Sequence, residues 1–288
     1  MLKLASIIWI AIVVITMVVF GCKKEPEKEA DLASASAAGG KTKVFLCAGQ
    51  SNMVGGMKRS DLIGEYPNAP ENAIYWSWAK GSWIDFPDKN SDHDRIGPEI
   101  SFAHKLVKAF PNDKIAIVKF SAGGMRLSDQ WKGGSGDMYK RFIATSKAAI
   151  ESLKSSGESY EVAGMIWMQG ESDTEDRASG EAYEANLNEL IRLVRKELDA
   201  PGLPVVVARI SDELLKAAQH KFAYTKIVQQ GQEKVARNDA NVYLIKIGDI
   251  PTLNDHTHFP PAGYFEMGNR FAEAMIKATG GNKEKKGK

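Results

Sequence analysis

The segment KVFLCAGQSNMVGG, residues 43–56, contains an apolar strand pattern that runs directly into a serine, Ser51. Two glycines, Gly49 and Gly55, bound the short turn that carries this serine. A buried strand that ends in such a turn predicts a hydroxyl at the carboxyl edge of a sheet, where open α/β folds hold their functional sites. The segment therefore predicts an α/β fold with Ser51 in its site.

Length and composition favour one large α/β domain. The chain has 288 residues, of which 43% are hydrophobic, so it can bury a substantial core. The formal net charge is only +2, and acidic and basic residues are mixed along the chain, so we expect no nucleic-acid partner. The one local excess of charge is lysine-rich and predicts a basic disordered tail over residues 281–288.

The amino terminus has the pattern of an export signal. A nearly uninterrupted apolar run covers residues 2–21 and ends at Cys22. The ending VVFGC resembles a bacterial lipoprotein box, in which the cysteine becomes the lipidated first residue. Residues 1–22 are thus predicted to be a lipoprotein-type signal and residues 23–41 a flexible tether, giving an exported, membrane-anchored protein of the periplasm or cell surface. A retained transmembrane helix is the alternative, because Phe20 stands where a small residue is usual.

Short apolar runs alternate with segments of helical period over residues 42–280. This alternation predicts one three-layer α/β/α sandwich with a central parallel sheet, a flavodoxin-like arrangement. The predicted strands are residues 44–48, 115–120, 163–168, 204–210 and 242–247. The predicted helices are residues 99–110, 138–154, 183–198, 222–237 and 264–279. Residues 68–96, rich in Trp, Asp and Pro, are interpreted as a long irregular insertion.

The candidate chemical groups each follow a predicted strand. A serine hydroxyl needs a neighbouring base whose orientation a third group fixes. Asp255 and His258, in the loop NDHTHFPPAGY after the last strand, could supply the third group and the base for Ser51. These are the parts of a nucleophilic hydrolase, although the same loop could merely cap the final helix.

The tetrahedral oxyanion that such a nucleophile would form also needs N–H donors directed at it. The backbone N–H of Ser51 is one candidate, and Gly123 or Gly124 in FSAGGM can expose a second. The side-chain amide of Gln169 in WMQGESD is a third candidate. Each glycine pair could instead form an ordinary turn between a strand and a helix.

The motifs GQSNM, SAGGM, QGESD and DHTH, in this order, resemble the successive blocks of the SGNH hydrolase superfamily. The closest resemblance is to its sialate O-acetylesterase and carbohydrate esterase family 6 branch, and it spans about residues 43–279. The resemblance implies a three-layer α/β/α fold and hydrolysis of acetyl esters on sugars through an acetyl-enzyme, with no metal or cofactor. It implies that Ser51 is the nucleophile, His258 the base and Asp255 its orienting partner.

The same resemblance places the glycine donor of the oxyanion hole at Gly124, with Gly123 as the alternative. The wider superfamily has an asparagine in its third block, whereas this chain offers Gln169 in a shifted place, as the carbohydrate-esterase branch does. Predicted substrate contacts are Gln50, Glu99, Arg126 and Glu171. Glu171 and Asp173 could instead order the third block by hydrogen bonds, and Trp131 could stack on a sugar ring.

Two other functions fit parts of the sequence. A metallohydrolase could use Asp255, His256 and His258, with residues 92–94 as further ligands, but it would leave the serine motifs unexplained. A non-catalytic carbohydrate-binding protein on an esterase scaffold is the second alternative, because a fold alone does not establish chemistry. The G-x-S-x-G elbow of α/β-hydrolases is absent, since Met53 replaces its last glycine.

Overall fold

The computed structural model of the protein describes residues 40–58, 70–85, 95–217 and 221–281. The predicted signal segment, nearly all of the predicted tether, residues 92–94 and nearly all of the predicted basic tail lie outside the described residues. Among the helices within those ranges, none has the length and apolar character needed to cross a membrane.

A seven-stranded sheet forms the middle layer of the domain. Its strands are β1 (Thr42–Gly49), β2 (Ala73–Ser77), β3 (Ser82–Asp85), β4 (Lys114–Ser121), β5 (Tyr160–Met168), β6 (Val205–Arg209) and β7 (Val242–Lys246). Their order across the sheet is β3-β2-β4-β1-β5-β6-β7. All neighbours run parallel except β2 and β3, which form an antiparallel hairpin at one edge.

That edge hairpin corrects the prediction of an irregular insertion over residues 68–96. Strand β2 pairs in parallel with β4 and is buried along its whole length. Trp76 of β2 meets Trp83 of β3 edge to face, with ring centroids 5.2 Å apart. Both strands are short, with five and four residues, so their apolar period is too brief to separate them from a loop by pattern alone.

Helices cover both faces of the sheet, which confirms the predicted three-layer α/β/α fold. The helices are α1 (Ser51–Val54), α2 (Glu99–Ala109), α3 (Asp137–Ser155), α4 (Arg177–Glu197), α5 (Thr225–Asn238) and α6 (Pro261–Thr279). Helices α2 and α6 pack into the core on one face, and α3, α4 and α5 pack into the core on the other. Short 3-10 helices at Glu171–Glu175 and Asp212–Lys216 follow β5 and β6.

Strand β1 lies at the centre of the sheet and contributes to both cores. Phe45 and Cys47 belong to the core beside α2 and α6, whereas Leu46 and Ala48 belong to the opposite core. Burial raises the pKa of the Cys47 thiol, so this side chain is a small buried hydrophobe rather than a reactive group. Because β4 and β5 pair with β1 along its full length, the end of β1 is held by strand pairing on both sides.

Candidate active site

The turn that carries Ser51 depends on two glycines. At Gly49, φ is +152°, and a Cβ would stand 1.9 Å from the carbonyl oxygen of Met168 at the end of β5. At Gly55, φ is +90°, and a Cβ would stand 2.1 Å from the carbonyl oxygen of Ile96. Only glycine permits both close approaches, so the single turn α1 begins directly at the carboxyl edge of the sheet.

Three side chains from the two ends of the domain meet at this edge. The Oγ of Ser51 lies 3.0 Å from Nε2 of His258, and Nδ1 of His258 lies 2.6 Å from Oδ2 of Asp255. The ring of His258 therefore contacts the serine with one nitrogen and the carboxylate with the other. This is the arrangement in which an imidazole can take a proton from a serine while a carboxylate fixes its orientation.

His258 lies in the loop between β7 and α6, residues 247–260, here called the histidine loop. This loop is ordered around Asp255. Its Oδ1 accepts the backbone N–H groups of Thr257 and His258, each at 2.9 Å. Burial opposes ionisation of this carboxyl group, but the N–H and the ring of His258 outweigh it and hold the pKa of Asp255 below its ordinary value. Asp255 is thus an anion at neutral pH. Its carboxylate both orders the loop, by accepting the two backbone N–H groups, and contacts the imidazole of His258.

An open cavity of about 550 Å³ lies beside Ser51 and His258. Its volume falls within the range of ligand pockets, roughly 300–1,000 Å³. Part of its wall comes from the histidine loop, through Leu253 and Phe259, and Arg95 contributes a cation. A ligand in this cavity would contact both the serine and the segment that holds the histidine.

The backbone at the end of β4 completes the surroundings of the serine. Gly123 lines the cavity, and a Cβ placed on it would lie 3.7 Å from the Cβ of Ser51. Gly124 adopts a left-handed conformation, with φ of +72°, and is not among the residues that line the cavity. Of the two glycines considered from the sequence, Gly123 is therefore the one that lies beside Ser51 in the cavity wall, whereas the preferred prediction was Gly124.

The side-chain amide of Gln169, a predicted oxyanion donor, is bonded inside the protein. Its side chain is fully buried, and Nε2 lies 2.6 Å from Asp173 Oδ2, 3.2 Å from Gln50 Oε1 and 3.2 Å from the carbonyl oxygen of Met125. These three acceptors already surround the two N–H groups of the amide, so none is free for a substrate. Gln50 is buried as well, and it accepts this bond inside the protein instead of facing the cavity as predicted.

Two acidic residues of the third motif organise the polypeptide behind the site. The carboxylate of Asp173 accepts the N–H groups of Leu127 at 2.8 Å and Ser128 at 3.0 Å, which orders the loop after β4. Glu171 is buried and accepts the side-chain amide of Asn52 at 2.7 Å. Burial raises the pKa of both carboxyl groups, and their hydrogen bonds oppose that shift. Their positions fit the structural alternative, and Glu171 has no exposed oxygen for the predicted substrate contact.

Glu99 likewise lies beneath the site and not in the cavity. Its carboxylate forms a buried ion pair with Lys119, at 2.8 Å, and accepts the N–H of Gly97. Lys119 in turn donates to the carbonyl oxygen of Val54 at the end of α1, at 2.9 Å. The pair thus supports the turn that carries Ser51, and the predicted substrate contact of Glu99 does not fit this position. Sequence reasoning missed Lys119, although a lysine within the apolar run KIAIVKFS was a signal for it.

The remaining predicted substrate contacts lie away from the cavity wall. Arg126 forms an ion pair with Glu175 at 3.2 Å and is not among the residues that line the cavity. Trp131 is fully buried and packs edge to face against Trp167, with centroids 5.2 Å apart. Since no face of its ring reaches solvent, Trp131 cannot stack on a sugar, and its role is in the core.

The histidine loop does not present its two imidazoles to a common metal position. Both ring nitrogens of His258 face protein groups, Asp255 and Ser51, and Nδ1 of His256 lies 3.6 Å from Glu213. Within the described ranges, no group of three or more His, Cys, Asp or Glu side chains has the geometry of a metal site. The sequence cluster at residues 92–94 lies outside the described residues.

The fold and the contact between serine, histidine and aspartate define an SGNH-type hydrolase architecture. The chain belongs to the family described as "Carbohydrate esterase, sialic acid-specific acetylesterase", which it matches over residues 41–277. A probable carbohydrate esterase of Arabidopsis thaliana is 26% identical over 254 residues, which cover 81% of this chain and 90% of the plant protein. Membership makes the protein a carbohydrate esterase.

Solved structures repeat the fold at low sequence identity. The crystal structure of the Arabidopsis thaliana protein superposes with a TM-score of 0.66 at 22% identity and covers 83% of this chain and 99% of its own. NanS gives a TM-score of 0.64 at 16% identity, with coverage of 82% and 97%. A carbohydrate acetylesterase from Xanthomonas citri gives 0.58 at 19% identity, with coverage of 82% of this chain and 56% of that chain. At these identities the likeness concerns the fold alone.

Proposed function

We propose that the protein is a carbohydrate O-acetylesterase in which Ser51 is the nucleophile, His258 the general base and Asp255 the residue that orients it. The observation that carries this proposal is the continuous chain of contacts from Ser51 Oγ through His258 to Asp255, at 3.0 Å and 2.6 Å. The three residues line a cavity of the size of a ligand pocket. Membership of a carbohydrate esterase family supplies the substrate class, acetylated carbohydrates.

In the first half of the reaction, Nε2 of His258 takes the proton of the Ser51 hydroxyl while Oγ attacks the acetyl carbonyl carbon. The resulting oxyanion receives hydrogen bonds from the backbone N–H groups of Ser51 and Gly123, which border the cavity. The ester bond to the sugar then breaks, and the proton on His258 passes to the departing sugar oxygen. An acetyl group remains on Ser51.

In the second half, water attacks the acetyl-enzyme. His258 accepts a proton from this water, and the ester bond to Ser51 breaks with return of the proton to Oγ. Asp255 stabilises the imidazolium that forms in both halves, because its carboxylate lies 2.6 Å from Nδ1 and its pKa is held low. Acetate leaves, and the free enzyme is restored.

Acetate release from a panel of acetylated carbohydrates tests this function. We expect measurable turnover on one or more classes, among acetylated xylan, acetylated sialic acids and acetylated monosaccharides, without added metal or cofactor. The acetyl-enzyme should be trapped at low pH and located on Ser51 by peptide mass spectrometry. Binding of acetylated sugars without any release of acetate would replace this proposal by the non-catalytic carbohydrate-binding alternative.

We also propose that the chain is exported and anchored to a membrane through a lipid on Cys22. The support is the apolar run over residues 2–21 and the ending VVFGC. Expressed in a bacterium with labelled fatty acid, the wild-type protein should carry the label in the membrane fraction, and C22A should carry none. Equal membrane retention of an unlabelled wild-type protein would instead indicate a retained transmembrane helix.

A further inference from the structure

We propose that Asn52 is a positioning residue that holds His258 against Ser51, and that the buried carboxylate of Glu171 fixes Asn52 in the orientation this requires. The inference rests on the proposed function, because it concerns the base of the same reaction. Its residues come from three separate parts of the chain, and neither side chain needs to touch the substrate.

Every polar atom of the Asn52 side chain has a partner. Nδ2 donates to Glu171 Oε1 at 2.7 Å and to the carbonyl oxygen of Thr257 at 3.0 Å. Oδ1 accepts the hydroxyl of Tyr264 at 3.3 Å. The residue is 1% exposed, so these bonds do not compete with water.

The bond to Thr257 links the two halves of the site. Asn52 follows Ser51 directly in the chain, and Thr257 directly precedes His258. A single side chain therefore connects the backbone of the nucleophile turn to the backbone of the histidine loop. This bridge fixes the separation of Ser51 Oγ and His258 Nε2 more directly than any contact within the loop itself.

The histidine loop needs such a bridge because its own side chains are poorly enclosed. The side chains of His258 and Asp255 are 39% and 48% exposed. The bonds within the loop, from Asp255 to two N–H groups and from the Leu253 N–H to the His258 carbonyl oxygen at 2.7 Å, shape the loop but do not attach it to the nucleophile. Apart from the bond between His258 and Ser51 themselves, Asn52 supplies the side-chain bond, among the described residues, that attaches the loop to the turn of Ser51.

Glu171 determines which way the amide of Asn52 faces. One carboxylate oxygen accepts Nδ2, while the other has no hydrogen-bond partner among the described residues. A rotated amide would place Oδ1 against this carboxylate, which is repulsive, and would direct Nδ2 away from Thr257. A buried acceptor at position 171 thus selects the orientation that binds the loop, and glutamine could replace it as an acceptor.

Four variants test the role of Asn52. N52L removes both N–H donors at similar volume, and E171L removes the acceptor that orients them. E171Q keeps an acceptor oxygen and should restore most of the rate. Q229L is the matched control, because Gln229 is another buried amide that bridges two segments, donating to the carbonyl oxygen of Ile210 at 2.9 Å and to Asp212 at 3.0 Å, outside the site.

For N52L and E171L we expect kcat on an acetate ester to fall about 10- to 100-fold with KM within about twofold, since a displaced base slows the chemical step more than it weakens binding. Q229L should lower the melting temperature but leave kcat unchanged. In one-dimensional proton NMR, the far-downfield signal of the His258 Nδ1 proton should persist in E171Q and broaden or shift in N52L. These readouts respond to the position of the imidazole and not to stability alone.

A N52L protein that melts at a lower temperature but turns over at the wild-type kcat, with an unchanged downfield signal, would overturn the inference. If N52L does not fold, the contrast between E171L and E171Q decides the question: equal rates in these two variants would contradict it. A wild-type protein that releases no acetate and has no acetyl-enzyme on Ser51 would refute the proposed function instead, while the NMR comparison would still report whether Asn52 positions the ring.

Discussion

Replacement of Ser51 by alanine is expected to reduce kcat for acetate release by on the order of 10⁴- to 10⁶-fold, because the proposed covalent route through an acetyl-enzyme needs its hydroxyl. Among the described residues the hydroxyl makes one hydrogen bond, to His258 at 3.0 Å, so its removal should change the free energy of unfolding little. Acetate release and chemical denaturation, measured on the same preparation, would show a loss of activity without a loss of the fold.

Ser121→Ala is the matched control for this experiment. Ser121 ends β4 at the same edge of the sheet, is buried, and its hydroxyl has no hydrogen-bond partner among the described residues. Its removal should leave kcat within a factor of two or so of the wild type, as for a substitution that breaks no contact. Wild-type activity in S51A, or an equal loss in S121A, would contradict the assignment of the nucleophile.

Replacement of Lys119 by methionine is expected to cost roughly 3–5 kcal/mol of stability, because it leaves a buried carboxylate without its counter-ion. The side chains of Lys119 and Glu99 are 1% and 5% exposed, and their charged atoms lie 2.8 Å apart. The loss of the lysine also leaves the carbonyl oxygen of Val54 without its donor. Urea denaturation of K119M and the wild type would measure the difference.

The double variant K119M/E99Q separates pairing from packing. Neutralising Glu99 removes the uncompensated charge, so the double-mutant cycle should give a coupling energy of about 1–3 kcal/mol. K105M is the surface control: Lys105 pairs with Glu273 at 2.6 Å, but its partner is 68% exposed, so the cost should be at most about 1 kcal/mol. Equal costs for K119M and K105M would show that the buried pair has no special role.

The fold and the contact between Ser51 and His258 could be predicted from the sequence, because both depend on local patterns: apolar runs typical of strands, and the polar motifs that come after them. Apolar runs identify β1, β4, β5, β6 and β7; the first three polar motifs begin at the ends of β1, β4 and β5, and the fourth lies in the loop after β7. Parallel strands bring their carboxyl ends to one edge, so the order of motifs was enough to predict which residues converge. Ser51 and His258 are 207 positions apart and lie in hydrogen-bond contact.

The partners of buried polar residues could not be predicted in the same way. Gln169, Gln50 and Glu99 occupy motif positions next to the site, but their hydrogen bonds are to the protein interior. Whether such a side chain faces a cavity or the layer beneath it depends on rotamers and neighbours distant in sequence. For the same reason the contacts of Lys119 and Asn52 could not be predicted, because their acceptors, the carbonyl oxygens of Val54 and Thr257, are known only from the structure.

The segment that carries His258 also forms part of the cavity wall, through Leu253, Phe259, Pro260 and Pro261. It leaves β7 at the rim of the sheet and passes the ends of β6 and β5 before it reaches β1, about 14 Å at the usual spacing of strands. In the proposed function, one piece of polypeptide therefore both lines the substrate cavity and carries the general base. We expect directed evolution toward bulkier esters that alters this stretch to trade rate for breadth, and changes at Arg95, which belongs to another part of the wall, to alter substrate choice without moving the imidazole.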